Sequence, residues 1–364
     1  MDEKNRSGRP VGRGSHIRPA NRFERLRLDT MNTEGDDWWD ADGAPEPERL
    51  PTEYLVDQSR SILAKNNSSD LPFRYSMNPY RGCAHGCAYC YARPTHEYLG
   101  LDAGLDFETK IIVKPHAASL LREALSKPSW VCEPIMMSGV TDCYQPVERH
   151  LRLTRSLLET AWEFRQPVGI VTKNALVVRD RDILQSMAEN NLVRVAISLT
   201  SLDQSLTRRL EPRTSSPQAR LRAIQVLNQV GVPVTVMTAP IIPGINDEEI
   251  PRLLEAAKEA GASYAAYVLL RLPLTVEPVF REWLGRCFPD RQHKVLGRIA
   301  SMREGKMNDS RFGSRMRGTG VWAQHLSQMF QVFARRYGLA TKPPPLDCSQ
   351  FRRPATGPRQ LELF

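Results

Sequence analysis

Cys83, Cys87 and Cys90 lie in the run Arg81-Gly-Cys83-Ala-His-Gly-Cys87-Ala-Tyr89-Cys90-Tyr91. The spacing C-x3-C-x2-C wraps three thiolates around one point on a short loop. A closed structural zinc site and a fully ligated iron–sulfur cube each take four ligands. Three thiolates on a cube leave one iron open to bind another molecule. That open corner is what separates chemistry on a ligand from the passing of electrons. His85 and His96 are near enough in sequence to supply a fourth ligand, so a zinc knuckle is the competing reading of the same cysteines.

The elements that must position this loop read as alternating β and α. Residues 73–80 alternate like a strand and lead into the cysteines. Short apolar runs follow at 134–138, 168–172, 193–198, 232–237 and 264–270, each separated from the next by a helix-length segment. Those segments are predicted as helices ending near Ser126 and over 147–164, 179–189, 217–230 and 248–260. Short apolar strands each followed by a helix are how buried parallel strands appear in sequence. Six such units predict an α/β fold, a partial (β/α)6 barrel of TIM type, with functional residues at the C-terminal ends of the strands.

The expected organisation has four parts. Residues 1–50 form a charged, disordered N-terminal arm, basic and then acidic, with Phe23, Leu26 and Trp38-Trp39 as the side chains able to dock on the body. Residues 51–275 form the partial barrel, and 276–338 a helical, basic C-terminal extension interrupted by the Gly/Arg-rich segment 311–320. Residues 339–364 form an extended, Pro-rich tail.

The cysteine loop resembles the signature of the radical S-adenosylmethionine (SAM) enzymes, including the aromatic Tyr89 just before the third cysteine. The resemblance implies a [4Fe–4S] cluster on Cys83, Cys87 and Cys90, with SAM chelating the open iron. Reductive cleavage of SAM then gives a 5′-deoxyadenosyl radical that abstracts hydrogen from a substrate. Within that superfamily the chain is most similar to the spore-photoproduct-lyase-like group, over roughly residues 77–273.

On that resemblance Tyr89 and Tyr91 flank the last ligand, and Thr141 and Asp142 hold the methionine end of SAM. Lys173 pairs with the SAM carboxylate, Ser198 is directed at the ribose, and Ala239 presents backbone to the adenine. Taken singly, polar residues after strands are common; jointly, a cation and hydroxyls at converging strand ends suit a zwitterionic nucleoside. One position departs from the group. Gly139 stands where the lyase carries its hydrogen-donating cysteine. Cys143, four residues later, is the candidate replacement, and its alternative role is that of a small buried side chain. The departure argues against spore photoproduct itself as substrate.

The chain of 364 residues is 41% apolar and carries a net charge of +9. From Arg291 onward there are 14 Lys/Arg against 4 Asp/Glu, and before it 36 against 37. The whole basic excess thus sits in the last fifth, which points to a polyanionic partner such as DNA. Seven cysteines, three of them in one motif, do not form a disulfide framework. With no secretory signal and no apolar run long enough for a membrane span, the expected location is cytoplasmic and no membrane partner is expected.

The final residues Gln360, Leu361, Glu362, Leu363 and Phe364 resemble the short peptides by which bacterial repair proteins bind the sliding clamp. The resemblance to the superfamily implies an electron donor such as flavodoxin or ferredoxin. The leading reading is a radical SAM enzyme acting on nucleic acid, with repair of a DNA lesion foremost. The alternatives are modification of a peptide, protein or RNA, and a zinc-stabilised nucleic-acid-binding protein without catalysis.

Overall fold

The computed structural model describes residues 11–23 and 50–354. Ten strands are present among them: β1 (Glu53–Val56), β2 (Leu63–Lys65), β3 (Tyr75–Met77), β4 (Tyr80–Arg81), β5 (Lys110–Val113), β6 (Ile135–Met137), β7 (Val168–Thr172), β8 (Val193–Ser198), β9 (Val234–Ile241) and β10 (Tyr264–Leu269). Seven form one sheet in the order β10-β9-β8-β7-β6-β3-β2. The six from β3 to β10 in this sheet are parallel, in the registers Tyr75↔Ile135, Ile135↔Val168, Val168↔Val193, Val195↔Val234 and Thr235↔Tyr264. These are the six β/α units expected from the apolar runs. Their side chains are buried on both faces, as in β7 and β8, and each buried Val, Ile or Leu contributes about 1.5–3 kcal/mol.

The barrel is open, and its seam has two edges. The antiparallel strand β2 forms one, pairing Leu63 with Met77, and β10 forms the other. Segment 313–317 crosses between them. Leu269 N–H donates to the Met316 carbonyl at 3.0 Å, while the Arg315 guanidinium binds Asp70 and Ser68 in the turn between β2 and β3.

Several local expectations change. The strand expected over 73–80 is two short strands in different sheets. β3 belongs to the barrel, and β4 joins a small second sheet of order β1-β5-β4. The reason lies in the sequence after Met77, where Asn78-Pro79 interrupts the ladder because proline has no N–H to donate. The helix expected over 147–164 is broken into Glu148–Leu151 and Leu153–Glu163 at Arg152, whose φ is 52°. An additional helix, Gln204–Leu210, is capped by the Asp203 carboxylate, which accepts from Ser205 N–H.

The C-terminal helices Val276–Cys287 and Gln292–Ser301 pack in a second cluster with Cys87, Ala88 and Tyr89, while Gly320–Arg336 shares the barrel's core. Phe330 lies 4.6 Å from the Tyr267 ring, and Leu326 and Ala334 are buried in the same cluster. No helix among the described residues is long and apolar enough to cross a membrane.

Part of the N-terminal arm is ordered against the body. Within residues 11–23, Ser15 is fully buried and the Phe23 ring lies 4.9 Å from Tyr98. Composition hid this docking, because backbone groups and not apolar side chains make the key contacts. Leu26, Trp38 and Trp39 lie outside the described residues, as do Gln360 to Phe364.

Candidate active site

The cysteine loop follows β4 and is shaped by glycines with left-handed backbones. Gly82 has φ 74° and Gly86 φ 66°, and a Cβ on Gly82 would press on the His96 ring and the Phe107 carbonyl. Cys83 N–H donates to that carbonyl at 2.9 Å. Arg93, fully buried, donates from Nε and Nη2 to the Cys87 carbonyl at 3.1 and 2.9 Å, and from Nη1 to the Ala103 and Gly104 carbonyls. All three cysteines are free thiols, Cys83 and Cys87 buried and Cys90 partly open. Burial pushes the Cys83 thiol up to about 12, with Asp142 and Cys90 adding to it.

Of the two histidines considered as fourth ligands, His85 has both ring nitrogens engaged elsewhere, whereas His96 has one engaged and its Nδ1 buried without a partner. His85 Nδ1 lies 3.4 Å from the Asp142 carboxylate and Nε2 3.3 Å from Asn174 Nδ2. His96 Nε2 donates to the Lys110 carbonyl at 2.9 Å.

A strap covers the loop. The backbone N–H groups of Arg13, Gly14 and Ser15 all donate to the buried Glu108 carboxylate, at 2.9, 2.8 and 2.7 Å. Glu108 also faces Arg93 Nη2 at 3.3 Å, which connects the strap to the Cys87 carbonyl through one arginine. A Cβ on Gly14 would overlap the Gly86 carbonyl oxygen, so the two backbones cross in direct contact.

At the strand ends the side chains converge as the β/α pattern requires. Lys173, just after β7, donates from Nζ to the Ala239 carbonyl at 3.3 Å. The same Nζ lies 5.7 Å from the centre of the Tyr89 ring and 3.5 Å from Glu211 Oε1. Ala239 lies inside β9, which runs further than its apolar segment suggested. The β9–β10 register shifts between Tyr267 and Leu269, and such a bulge takes residues out of the ladder. Ser198, at the end of β8, gives its carbonyl to Arg220 Nη1 at 3.0 Å. Among the described residues its hydroxyl makes no hydrogen bond.

Glu211, which the sequence reading missed, organises this end. Its carboxylate accepts from the Tyr89 hydroxyl, from Thr200 Oγ1 at 2.6 Å and from Arg220. Burial alone would raise its pKa, but Arg220, Lys173 and the two hydroxyls hold it well below the usual carboxylate range. Asn246 joins the loops after β8 and β9 by donating to the Thr200 and Pro240 carbonyls at 2.8 and 3.0 Å.

Thr141 and Asp142 stand after β6 as expected, but their side chains are committed to the protein. Thr141 Oγ1 donates to the Gly82 carbonyl at 2.6 Å. The Asp142 carboxylate accepts from Thr172 Oγ1 and from Lys173 N–H, both at 2.8 Å. They fix the cysteine loop and β7 to the end of β6. Tyr91 donates to the Gly139 carbonyl at 2.8 Å.

The structure places the candidate hydrogen donor inside the core. Cys143 is fully buried in the main core, its N–H on Ser138 Oγ and its carbonyl on Thr154 Oγ1. Burial, then the Asp142 charge, drives its thiol pKa well upward. Gly139 is open by comparison, since a Cβ there would meet Ser76 at an ordinary 3.4 Å. In the basic segment, Arg311 pairs with Asp309 and Glu304, and Arg315 with Asp70. These two guanidiniums are occupied within the molecule.

Comparison with known proteins gives a consistent picture. Residues 77–257 match the family described as Radical SAM superfamily. An uncharacterized protein of Mycobacterium tuberculosis is 38% identical over 226 residues, covering 62% of this chain and 66% of the relative. One of Methanocaldococcus jannaschii is 26% identical over 238 residues, covering 65% and 85%. The chain thus spans 66% of the length of the mycobacterial relative.

Among solved structures, a spore photoproduct lyase mutant is similar with a TM-score of 0.57 and 19% identity, covering 79% of this chain and 81% of that one. The lyase complexed with dinucleoside spore photoproduct gives 0.57 and 18%, with the same coverage. At such identity the likeness is one of fold. With the cysteine loop, the six parallel strands and the family match taken together, this chain belongs to the radical SAM superfamily.

Proposed function

We propose that this chain is a radical SAM enzyme acting on nucleic acid, with a [4Fe–4S] cluster on Cys83, Cys87 and Cys90 and SAM at the adjoining strand ends. When bound, cluster and SAM supply a 5′-deoxyadenosyl radical that takes a hydrogen atom from the substrate. The observation that carries the reading is the convergence of Lys173, the Ala239 carbonyl and Tyr89 within a few ångströms of one another, beside the cysteine loop.

The donor set fits the group. Three free thiols lie on one loop, and His85 has both ring nitrogens on other partners. Lys173 offers an ammonium shared with Glu211, so an incoming carboxylate meets a cation that is already oriented. The Ser198 hydroxyl is free to accept or donate to a ribose, and the Ala239 carbonyl is available to an exocyclic amine. Thr141 and Asp142 act indirectly, by holding the strand ends in register.

Nucleic acid is favoured by the basic C-terminal fifth and by a fold shared with a lyase solved with a dinucleoside lesion. Gly139 and the buried Cys143 leave no thiol at the position the lyase uses, which favours a lesion reversal or modification without a thiyl step. Binding of a sliding clamp through Gln360, Leu361, Leu363 and Phe364, a flavodoxin or ferredoxin as electron donor, and residence in the cytoplasm belong to the same proposal.

The test is anaerobic reconstitution of the wild type and of Cys83→Ala, Cys87→Ala and Cys90→Ala, followed by iron analysis and 5′-deoxyadenosine assay with a chemical reductant. Each variant is expected to lose the cluster absorbance and SAM cleavage. Full iron loading with undiminished 5′-deoxyadenosine in any of them would overturn the assignment.

A further inference from the structure

The last barrel strand ends in a group of arginines short of carboxylates. Arg271, two residues beyond β10, places its guanidinium carbon 6.0 Å from the centre of the Tyr91 ring. Its Nη1 lies 3.4 Å from the Met316 sulfur, and its Nε is shielded from solvent without any hydrogen-bond partner. Among the described residues no carboxylate forms an ion pair with it.

Arg303, only 2% exposed, donates to the Leu270 and Arg315 carbonyls at 2.6 and 3.1 Å and to no carboxylate. Arg315 spends its charge on Asp70. Burial and the neighbouring Arg315 push the Arg271 guanidinium below its usual range. Burial, with Arg271 adding, lowers Arg303 to about 10.

A guanidinium held out of water with no counter-ion is unfavourable, and the arrangement becomes favourable when an anion arrives. Its location at a strand end beside the third cysteine's neighbour Tyr91 puts that anion at the mouth of the proposed active site. Two aromatic rings of this group face solvent, Tyr91 beside Arg271 and Phe312 beside Arg315. Tyr91 is 52% exposed and Phe312 57%, with Arg315 4.7 Å above the Phe312 ring. An unpaired cation grouped with exposed rings is the composition of a strand-binding surface, with phosphate on the cation and bases on the rings. A peptide carboxylate would neutralise Arg271 but would leave both rings without a role. The SAM carboxylate, on the proposed reading, belongs to Lys173 beside Tyr89.

We propose that Arg271 receives a backbone phosphodiester of the nucleic-acid substrate, with Tyr91 and Phe312 presenting the faces for its bases. Arg303 positions this contact, since it ties the Leu270 carbonyl next to Arg271. The proposal rests on the radical SAM reading of the strand ends and names the group that engages the substrate there.

The test measures binding of two probes to the full chain under anaerobic conditions: a short single-stranded oligothymidylate, and the same oligomer with uncharged methylphosphonate linkages. The wild type is expected to prefer the charged probe by about tenfold or more, the size of one charge-assisted contact. Arg271→Gln is expected to lose most of that preference while binding the uncharged probe as before, and Arg271→Lys to retain part of it. SAM affinity, read by calorimetry on the same samples, is expected to stay unchanged in both variants.

Equal binding of the two probes by the wild type, or an unaltered preference in Arg271→Gln, would overturn the assignment. So would tighter binding of an acidic peptide than of the charged oligomer. If SAM binds normally in those cases, Arg271 alone has been misassigned. If the wild type fails to bind SAM, the wider reading falls first. Removing an unpaired cation is expected to leave the melting temperature level or higher; should Arg271→Gln fail to fold, the charge-retaining Arg271→Lys decides through its probe preference.

Discussion

Glu211→Gln isolates the charge at the centre of the strand ends, because it keeps the side chain's volume and removes only the anion. In the native protein the carboxylate accepts from Tyr89, Thr200 and Arg220 and lies 3.5 Å from Lys173 Nζ. Glu211 and Arg220 are both almost fully buried. An amide there retains one acceptor oxygen. Its NH2 group can face the two hydroxyls only if both reverse to accept, so the hydrogen-bond pattern is disturbed and the charge facing Arg220 is lost. Breaking a buried pair by neutralising one member costs about 3–5 kcal/mol, and the hydrogen-bond deficit is part of that figure, not an addition to it.

That loss is a large share of a total stability of about 5–15 kcal/mol. Urea unfolding followed by tryptophan fluorescence would report it as a fall in midpoint at constant slope. The pH dependence supplies an internal control. The folded carboxyl titrates below its unfolded value of 4.5, so between the two the unfolded state binds more protons. The stabilisation is therefore complete above 4.5 and shrinks as the pH falls through the folded value. The gap between wild type and variant should close in acid. A gap smaller than about 0.5 kcal/mol at neutral pH, or one that widens on acidification, would refute the role given to Glu211.

Lys173→Ala is expected to weaken SAM binding by about 1.5–3 kcal/mol, the worth of a charge-assisted contact, with cluster content unchanged; calorimetry checks it. Gly14→Ala should dislodge the strap, because its Cβ has no room against the Gly86 carbonyl. Hydrogen exchange at Arg13, Gly14 and Ser15 should then speed up while exchange in β7 and β8 stays slow. Cys143→Ala is expected to lower stability by about 1–2 kcal/mol through the lost core volume and to leave the yield of product per SAM cleaved unaltered; a changed partition would restore Cys143 as a hydrogen donor.

The parallel strands were legible because burial on both faces forces continuous apolar runs such as Val168 to Thr172, and the cysteine loop because its ligands are adjacent in sequence. Lys173, Ser198 and Ala239 could be placed because each closely follows, or extends, such a run. Glu211, Arg220 and Arg93 could not. Glu211 lies 122 residues from Tyr89, and Arg93 and Arg220 reach partners 5 to 22 residues away through loop geometry that no spacing records. The small sheet escaped notice for a different reason. Glu53 to Val56 is exposed along its whole length, so it carries neither the alternation nor the apolar run that marks a buried strand. The barrel's latch was invisible too, since a Gly/Arg-rich segment reads as a charged surface until its partner Asp70 is known.

The strap has a consequence for the order in which the molecule is made. Residues 13–15 leave the ribosome early, yet the groups that hold them come later. Glu108 lies 93 to 95 residues downstream, and Arg286, which donates to the Gly14 carbonyl at 3.1 Å, lies 272 residues downstream. Contacts across such separations form only after the intervening chain has been brought together. This segment is thus among the last to settle, and it settles on top of the cysteine loop. On the proposed reading, iron and sulfide approaching from that side have a window during biogenesis that closes when Gly14 comes to rest on Gly86. On that same reading the strap would time cluster maturation, with Glu108 as its stop.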